Sequence, residues 1–255
     1  MKKRDIITLP WSIGGLIFLL LLWELASRAY SSTLILPGPI PVLNGFIVLI
    51  FNPRFYNALF SSMLRVFGGI VIAIPLGIAA GIVSGLDKRV AAFLKPLFSV
   101  ISATPVISVI LIAFLLLGAG HTPVFTAFLM IFPVISSNVM EGIQSTDIKL
   151  KELFMSYKMR SIESIRYLYI PALLPYILSA LRSSLSLCWK VVVAAEVIVQ
   201  PLRSLGTGMQ MARANLETVE LFAWTAATVI SASLTQLLLT IIIKFFNPYR
   251  INDIK

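Results

Sequence analysis

Residues 62–85 read SMLRVFGGIVIAIPLGIAAGIVSG, and Arg65 is the only charged residue among them. An α-helix needs about 20 consecutive apolar residues to cross the hydrocarbon core of a bilayer. The run also lacks the alternation of polar and apolar residues that marks a strand of a membrane β-barrel. The stretch therefore predicts a transmembrane helix.

Small residues recur at every fourth position of this helix. They are Gly69, Ala73, Gly77, Gly81 and Gly85. Because residues four apart share one helix face, they form a small stripe that lets a second backbone approach closely. The stripe predicts close packing of this helix against another.

Composition extends the conclusion to the whole chain. Of its 255 residues, 58% are hydrophobic and 13% are charged, about half the charged share of a soluble domain. Together with 62–85, the further apolar segments are 12–30, 96–118, 122–142, 169–199 and 221–246. We therefore predict an all-α membrane protein of about six transmembrane helices, with residues 1–255 as one transmembrane domain.

The first segment allows two interpretations. A basic start, an apolar run and small residues near Ala26 and Ser27 are also features of a signal peptide. The run is long for that role and Glu24 interrupts its end, so we favour a retained first helix. With six spans, most of the 21 Lys and Arg residues fall on the side that carries both termini. The excess of positive charge predicts that both termini are cytoplasmic.

The chain offers little for catalysis. It has a single histidine, His121, and a single cysteine, Cys188, which leaves no metal site and no nucleophile–base pair. We therefore predict no catalytic and no metal-binding residues. No G-x-x-x-x-G-K-[ST] phosphate-binding loop is present, so any ATP-driven work would need nucleotide bound by another subunit.

The segment 143–168 carries the most specific signal. Thr146 can cap a helix start with Asp147 in its first turn, and Leu150, Leu153, Phe154 and Tyr157 follow at helical spacing. An apolar patch with a charged rim suits docking to another protein. A helix that packs on its own bundle, or lies in the membrane interface, would show the same pattern.

The same segment resembles the EAA motif of permease subunits of ATP-binding-cassette (ABC) importers. That motif reads EAA, three residues, Gly, nine residues and I-x-L-P. Here Glu152 stands at the acidic position, Lys158 at the glycine position, and 168–171 at the I-x-L-P end. Leu153 and Phe154 replace the two alanines, and Lys158 replaces the glycine, so the matching groove on a partner would differ too.

Other segments resemble the permeases of nitrate, sulfonate and taurine importers. The matching elements are Leu36-Pro37-Gly38-Pro39 with Val42-Leu43, Ser62-Met63-Leu64-Arg65-Val66 with Gly68, Pro75-Leu76-Gly77, Phe132-Pro133, Ala172 to Ile177, Leu181-Arg182, Ala194-Ala195-Glu196 and Leu205-Gly206. The resemblance covers residues 20–250.

The resemblance implies a type I importer permease in the inner (plasma) membrane of a bacterium or archaeon. Its partners would be a second copy of the chain, two ATPase subunits that bind ATP and Mg, and an extracytoplasmic substrate-binding protein. The solute would be small, such as nitrate, a sulfonate, taurine or a vitamin-like precursor. The ATPase-coupling contact would comprise Glu152, Leu153, Phe154, Tyr157, Lys158 and Arg160. The alternative is an ion-coupled secondary transporter, which usually shows an internal repeat of spans.

A polar stripe in the fifth segment is the candidate translocation pathway. Ser179, Ser183, Ser186 and Lys190 share one helix face, with Arg182 at its edge. Charges inside a span usually face a cavity or a partner, which here would favour an anionic group. The serines could equally bond back to their own helix. Glu196, near the end of the same segment, could pair with a cation, shape an outer gate, or be a solvated end residue of structural use.

Overall fold

The computed structural model describes residues 3–30, 32–157, 163 and 165–246, and these residues are almost entirely helical. The helices are α1 (Lys3–Tyr30), α2 (Pro39–Ile50), α3 (Pro53–Leu86), α4 (Lys88–Ala103), α5 (Val106–Gln144), α6 (Ile148–Ser156), α7 (Ile170–Val199), α8 (Leu205–Ala214) and α9 (Thr218–Phe246). A single π-helical turn, Ile165–Tyr169, precedes α7. Among the described residues, five helices are long and apolar enough to cross a membrane, namely α1, α3, α5, α7 and α9.

Helix α3 begins nine residues before the apolar run quoted above. The Asn52 side chain accepts a hydrogen bond from the Arg54 backbone N–H at 3.0 Å, and Pro53 occupies the first helical position. Both features favour a helix start. The predicted second span is therefore confirmed, with an added polar first turn that the apolar pattern could not include.

The small stripe of α3 packs against the second half of α5. A Cβ built on Gly69 would lie 3.0 Å from the Cβ of Ala127, and one on Gly85 would lie 2.7 Å from the Cβ of Ile143. The residue numbers of the contacts increase in the same direction along both helices, so α3 and residues 119–144 run parallel. The predicted close packing is confirmed.

We expect Gly81→Leu to destabilise this contact. A Cβ at Gly81 would lie 2.6 Å from the backbone oxygen of Ser136, which cannot move without shifting α5. Overpacking of this kind typically costs about 1–3 kcal/mol. The thermal midpoint of the purified permease should fall, whereas Gly15→Leu in α1, where nothing lies within 4 Å, should leave it unchanged. Equal midpoints for the two variants would show that the helices separate at no cost.

The third crossing is broken, which corrects the predicted helix 96–118. Because α3 and 119–144 run parallel, the chain between them must return across the bundle. It does so as α4 and then Val106–Leu117, which are separated at Thr104 and Pro105. The break has a local cause, since the residue before a proline disfavours helical backbone.

The predicted boundary between the third and fourth spans is confirmed at Gly118. This residue has φ +70° within the helical run of α5, a conformation that glycine adopts without strain. Divided at Gly118, α5 contributes its second part as one crossing and its first part, together with α4, as the interrupted return.

Helix α7 lies at the centre of the bundle and contacts α3, α5, α8 and α9. Its Trp189 donates a 2.8 Å hydrogen bond to the Thr235 hydroxyl of α9. The connection bearing α6 lies at one end of the bundle and that bearing α8 at the other. We call these the α6 end and the α8 end.

Candidate coupling helix and translocation face

Helix α6 is held at its start by Asp147 and not by Thr146, which corrects the predicted cap. The carboxylate of Asp147 accepts a hydrogen bond from the Lys149 backbone N–H at 2.9 Å. The Thr146 hydroxyl instead donates to the Gly142 carbonyl of α5 at 3.1 Å. A carboxylate at a helix start also interacts favourably with the helix dipole.

The described coupling residues lie mainly on the surface. Leu153 is 48% exposed and Tyr157 is 75% exposed, while Glu152 is exposed and Phe154 is half-buried. Lys158 and Arg160, which belong to the same predicted contact, lie outside the described residues. The α6 end thus presents large apolar side chains beside a carboxylate.

A short connection ties α6 to α5, which packs against α7. The Ser145 backbone N–H donates to the Glu141 carbonyl of α5 at 2.8 Å. Gly142, in the same turn of α5, is so close to α7 that a Cβ there would lie 2.9 Å from the Leu173 side chain. A displacement of α6 would therefore act where α5 and α7 meet.

The predicted pathway residues lie on the unpacked face of α7. Ser179, Arg182, Ser183 and Lys190 are exposed and Ser186 is half-buried. Of the residues in the most apolar stretch of α7, 44% are buried, the largest share among the five long helices. A polar strip on the most enclosed helix is the arrangement expected of a wetted surface between bundles.

Hydrogen bonding distinguishes the members of this strip. The Ser183 hydroxyl donates to the Ser179 carbonyl at 2.7 Å, so this serine does bond back to its own helix. Neither Arg182 nor Lys190 forms an ion pair with any acidic group of the described residues. Two cationic side chains on this face are thus available to a group from outside the chain.

A buried polar cluster at the α8 end joins α3, α7 and α8. Glu196 is fully buried, and its carboxylate lies 2.9 Å from the Arg65 guanidinium. The Ser62 hydroxyl lies 2.8 Å from both carboxylate oxygens, and the Gly206 backbone N–H donates to Oε2 at 3.2 Å. The Leu205 backbone N–H donates to Ser62 Oγ at 3.0 Å. We call these residues the Glu196 cluster.

The sequence includes every residue of the Glu196 cluster, but it does not show that these residues are in contact. Of the roles considered for Glu196, pairing with a cation is confirmed and a solvated end residue is wrong. A lone carboxylate in an apolar span needs a partner, and that rule could have pointed to Arg65, the only charge in 62–85.

No metal site emerges in the described part of the chain, where no three His, Cys, Asp or Glu side chains come close enough to hold an ion. His121 is exposed near the α5 kink, and Cys188 is buried with its thiol 3.4 Å from the Val66 carbonyl.

The described residues thus form a helical bundle with a polar central face and an exposed α6. Residues 73–251 match the model of the family described as binding-protein-dependent transport system inner membrane component. The chain belongs to this family. It is a transmembrane permease subunit of an ABC importer, and thus a transport protein.

Characterised relatives extend over most of the chain. The taurine transport system permease protein TauC of Escherichia coli is 28% identical, covering 93% of this chain and 89% of its own. The nitrate import permease protein NrtB of Synechocystis is 30% identical, covering 71% and 69%. The putative aliphatic sulfonates transport permease protein SsuC of Bacillus subtilis is 27% identical, covering 94% and 89%.

A solved structure shares the fold. An inward-facing structure of the MetNI methionine ABC transporter aligns with a TM-score of 0.58 and 15% identity, covering 74% of this chain and 92% of the other. The type I importer fold is confirmed. Membership in this family implies an ATPase and a substrate-binding protein as partners, and leaves the secondary-transporter alternative without support.

Proposed function

We propose that the exposed face of α7 lines the solute pathway and that α6 delivers the motion of the ATPase to it. The observation that carries the proposal is the polar strip from Ser179 to Lys190 on the most buried long helix. The strip extends about 16 Å along the helix axis. A surface of that length serves a permeating solute over half of a bilayer's thickness.

The charge of the strip favours an anionic solute. Arg182 and Lys190 contribute two positive charges without an acidic partner among the described residues. Three relatives are named for taurine, nitrate and aliphatic sulfonates. Nitrate and sulfonates are oxyanions, and taurine carries a sulfonate group. We therefore propose a small solute of this kind, with nitrate, a sulfonate, taurine or a vitamin-like precursor as candidates.

The position of α6 suits mechanical coupling. Its exposed apolar residues Leu153 and Tyr157, with Glu152 beside them, would enter a cleft on an ATPase subunit. Phe154, Lys158 and Arg160 complete the proposed contact. When the ATPase closes on ATP and Mg, the pull on α6 would reach the α5–α7 contact at Gly142 and open the opposite end of the bundle.

Family membership and the distribution of charge support the remaining assignments. The α6 end faces the cytoplasm together with both termini, as the distribution of Lys and Arg indicates. A second copy of the chain supplies the other wall of the pathway, two ATPases lie beneath the pair, and the binding protein delivers solute at the α8 end. The membrane is the inner membrane of a bacterium or archaeon.

Cysteine labelling at two adjacent serines tests the pathway. We expect Ser183→Cys, in a Cys188→Ala background, to react with a water-soluble thiol reagent at least tenfold faster than Ser184→Cys. Ser183 is exposed on the strip and Ser184 is 1% exposed on the packed face. The reaction needs a thiolate, which forms only where water reaches the sulfur.

Ser184→Cys serves as the control for folding and for reagent quality, because it introduces the same thiol at the adjacent position. Labelling is measured by mass shift in membranes, without nucleotide and with ATP. If Ser183→Cys stays unmodified in both states while a denatured sample reacts, the strip is dry and the pathway lies elsewhere.

A further inference from the structure

A second polar surface lies apart from α7, in a cavity between α4 and α5 at the α6 end. Its volume is about 700 Å³, within the range of small-molecule sites. The polar side chains that line it are Ser84, Lys95, Ser99, Ser102, Ser137, Asn138 and Gln144. None of them belongs to the α7 strip or to the coupling contact.

The hydroxyl groups of this cavity are available to a ligand. Elsewhere in the bundle, helical hydroxyls bond to the carbonyl four residues back, as Thr126 and Ser231 do at 2.8 and 2.7 Å. Within the described residues, no such bond forms for the hydroxyls of Ser99, Ser102 and Ser137. These three serines are exposed, so their hydroxyls line one space from two helices and are open to a ligand or to water.

Ser84 adds a stronger signal. It is 1% exposed, it lines the cavity from α3, and its Oγ has no hydrogen-bond partner in the described structure. A buried hydroxyl without a partner costs about 1–3 kcal/mol. A bound acceptor would remove that cost.

Lys95 sets the charge of the cavity, since it is the only ionisable residue among the described residues that line it. It forms no ion pair with any described carboxylate. Along α4 it lies about 10 Å beyond Lys88, where the helix begins. Lys95 is exposed, so its ammonium is open to an anion or to water.

The remaining walls are apolar. Phe98, Pro133, Val134 and Met140 line the cavity beside the hydroxyls. Such a site offers a positive charge and several hydroxyl donors to one end of a ligand, and carbon surface to the other.

We propose that this cavity binds a small organic anion through a carboxylate or sulfonate group, held by Lys95 and the serine hydroxyls. The inference rests on the proposed function, which supplies a small anionic solute as the ligand. An inorganic oxyanion would fill only part of 700 Å³ and leave the apolar wall uncovered.

Charge-selective labelling of Ser102→Cys tests this site. The full-length chain, in the Cys188→Ala background, is placed in phosphatidylcholine nanodiscs and treated with anionic 2-sulfonatoethyl or cationic 2-trimethylammonioethyl methanethiosulfonate. After normalisation to the rates with mercaptoethanol, we expect the anionic reagent to react about tenfold faster, since a cavity of one sign concentrates counter-ions. Ethanesulfonate should slow the reaction, and choline at equal ionic strength should not.

Lys88→Gln is the matched control for Lys95→Gln. Both variants remove one lysine from α4, but only Lys95 lines the cavity. Lys95→Gln should bring the ratio of the two rates close to one and abolish protection by ethanesulfonate, while Lys88→Gln should preserve both.

Several outcomes would overturn the site. These are equal rates for both reagents, equal effects of the two lysine variants, or a Ser102→Cys thiol that never reacts because a second copy covers it. Protection that appears only with phosphatidylglycerol in the nanodisc would assign the cavity to a lipid headgroup instead. Labelling at Ser183→Cys is scored separately, so failure of the pathway on α7 is distinguishable from failure of this cavity.

Discussion

Leu153→Asp in α6 is expected to abolish solute uptake while leaving the permease in the membrane. Leu153 is half-exposed at the α6 end, where the proposed ATPase cleft would cover it. A carboxylate placed in an apolar contact loses its hydration without gaining a partner. Truncation or replacement of a central interface residue typically costs 2 kcal/mol or more, so association should weaken about thirtyfold or further.

Two measurements check the expectation together. One is recovery of the ATPase with the tagged permease from mild detergent, and the other is ATP-dependent uptake into vesicles. Both should fall in parallel, whereas the amount of permease in the membrane should not change. Loss of uptake with full ATPase recovery would place the defect in transport and not in docking.

Leu216→Asp is the matched control. Leu216 is an exposed leucine in the turn after α8, at the opposite end of the bundle. Its φ of +59° is a conformation that Asp tolerates better than Leu, so the folded chain should accept the change. Association with the ATPase should be normal in this variant. If the two variants behave alike, α6 is not the docking element.

The order of the long apolar helices could be read from the sequence, because crossing a bilayer imposes their length. Each crossing needs a long apolar run, and the chain has few charges to spare for anything else. The ends of the helices are harder to predict from the sequence. The first turns of α3 are polar, with Arg54 and Asn57, so an apolar window excluded them although Asn52 and Pro53 mark a helix start.

The break between α4 and α5 had a local signal that the apolar pattern concealed. Pro105 disfavours helix at Thr104, yet hydrophobic residues continue on both sides and suggest one segment. The four unpaired hydroxyls of the α4–α5 cavity were not predictable either. Whether a serine bonds to its own helix or faces a cavity depends on the neighbouring helix, which periodicity does not report.

The Glu196 cluster shows the same limit for ionic contacts. Glu196 and Arg65 are 131 residues apart in the chain, and no spacing rule connects them. Only the packing of α7 on α3 brings them to 2.9 Å. Their motifs were visible one by one, and the fold was needed to show that they form a single contact.

Glu196→Ala is expected to destabilise the permease by about 3–5 kcal/mol. The substitution leaves the Arg65 guanidinium, whose side chain is 15% exposed, without its carboxylate, and it removes an acceptor from the Gly206 backbone N–H. The thermal midpoint of the purified protein should fall by roughly 5 °C or more. Glu196→Gln retains most of the hydrogen bonds, so its thermal midpoint should fall less.

A surface pair in the same chain supplies the control. Glu24 and Arg28 lie 2.7 Å apart on α1, with side-chain exposures of 31% and 76%. Exposed pairs contribute about 0–1 kcal/mol, so Glu24→Ala should hardly move the midpoint. Equal falls in the midpoint for Glu24→Ala and Glu196→Ala would show that the buried ion pair stabilises the protein no more than the exposed one.

A double variant separates the unpaired charge from the lost contact. If a buried, uncompensated guanidinium is what costs free energy, Arg65→Met combined with Glu196→Met should be more stable than Glu196→Ala alone. The cluster joins α3, α7 and α8 at the end opposite α6, which would open in the proposed cycle. The stabilised double variant should therefore fold well yet transport poorly if the ion pair must separate and re-form during each cycle. It should transport normally if the pair only holds the helices together.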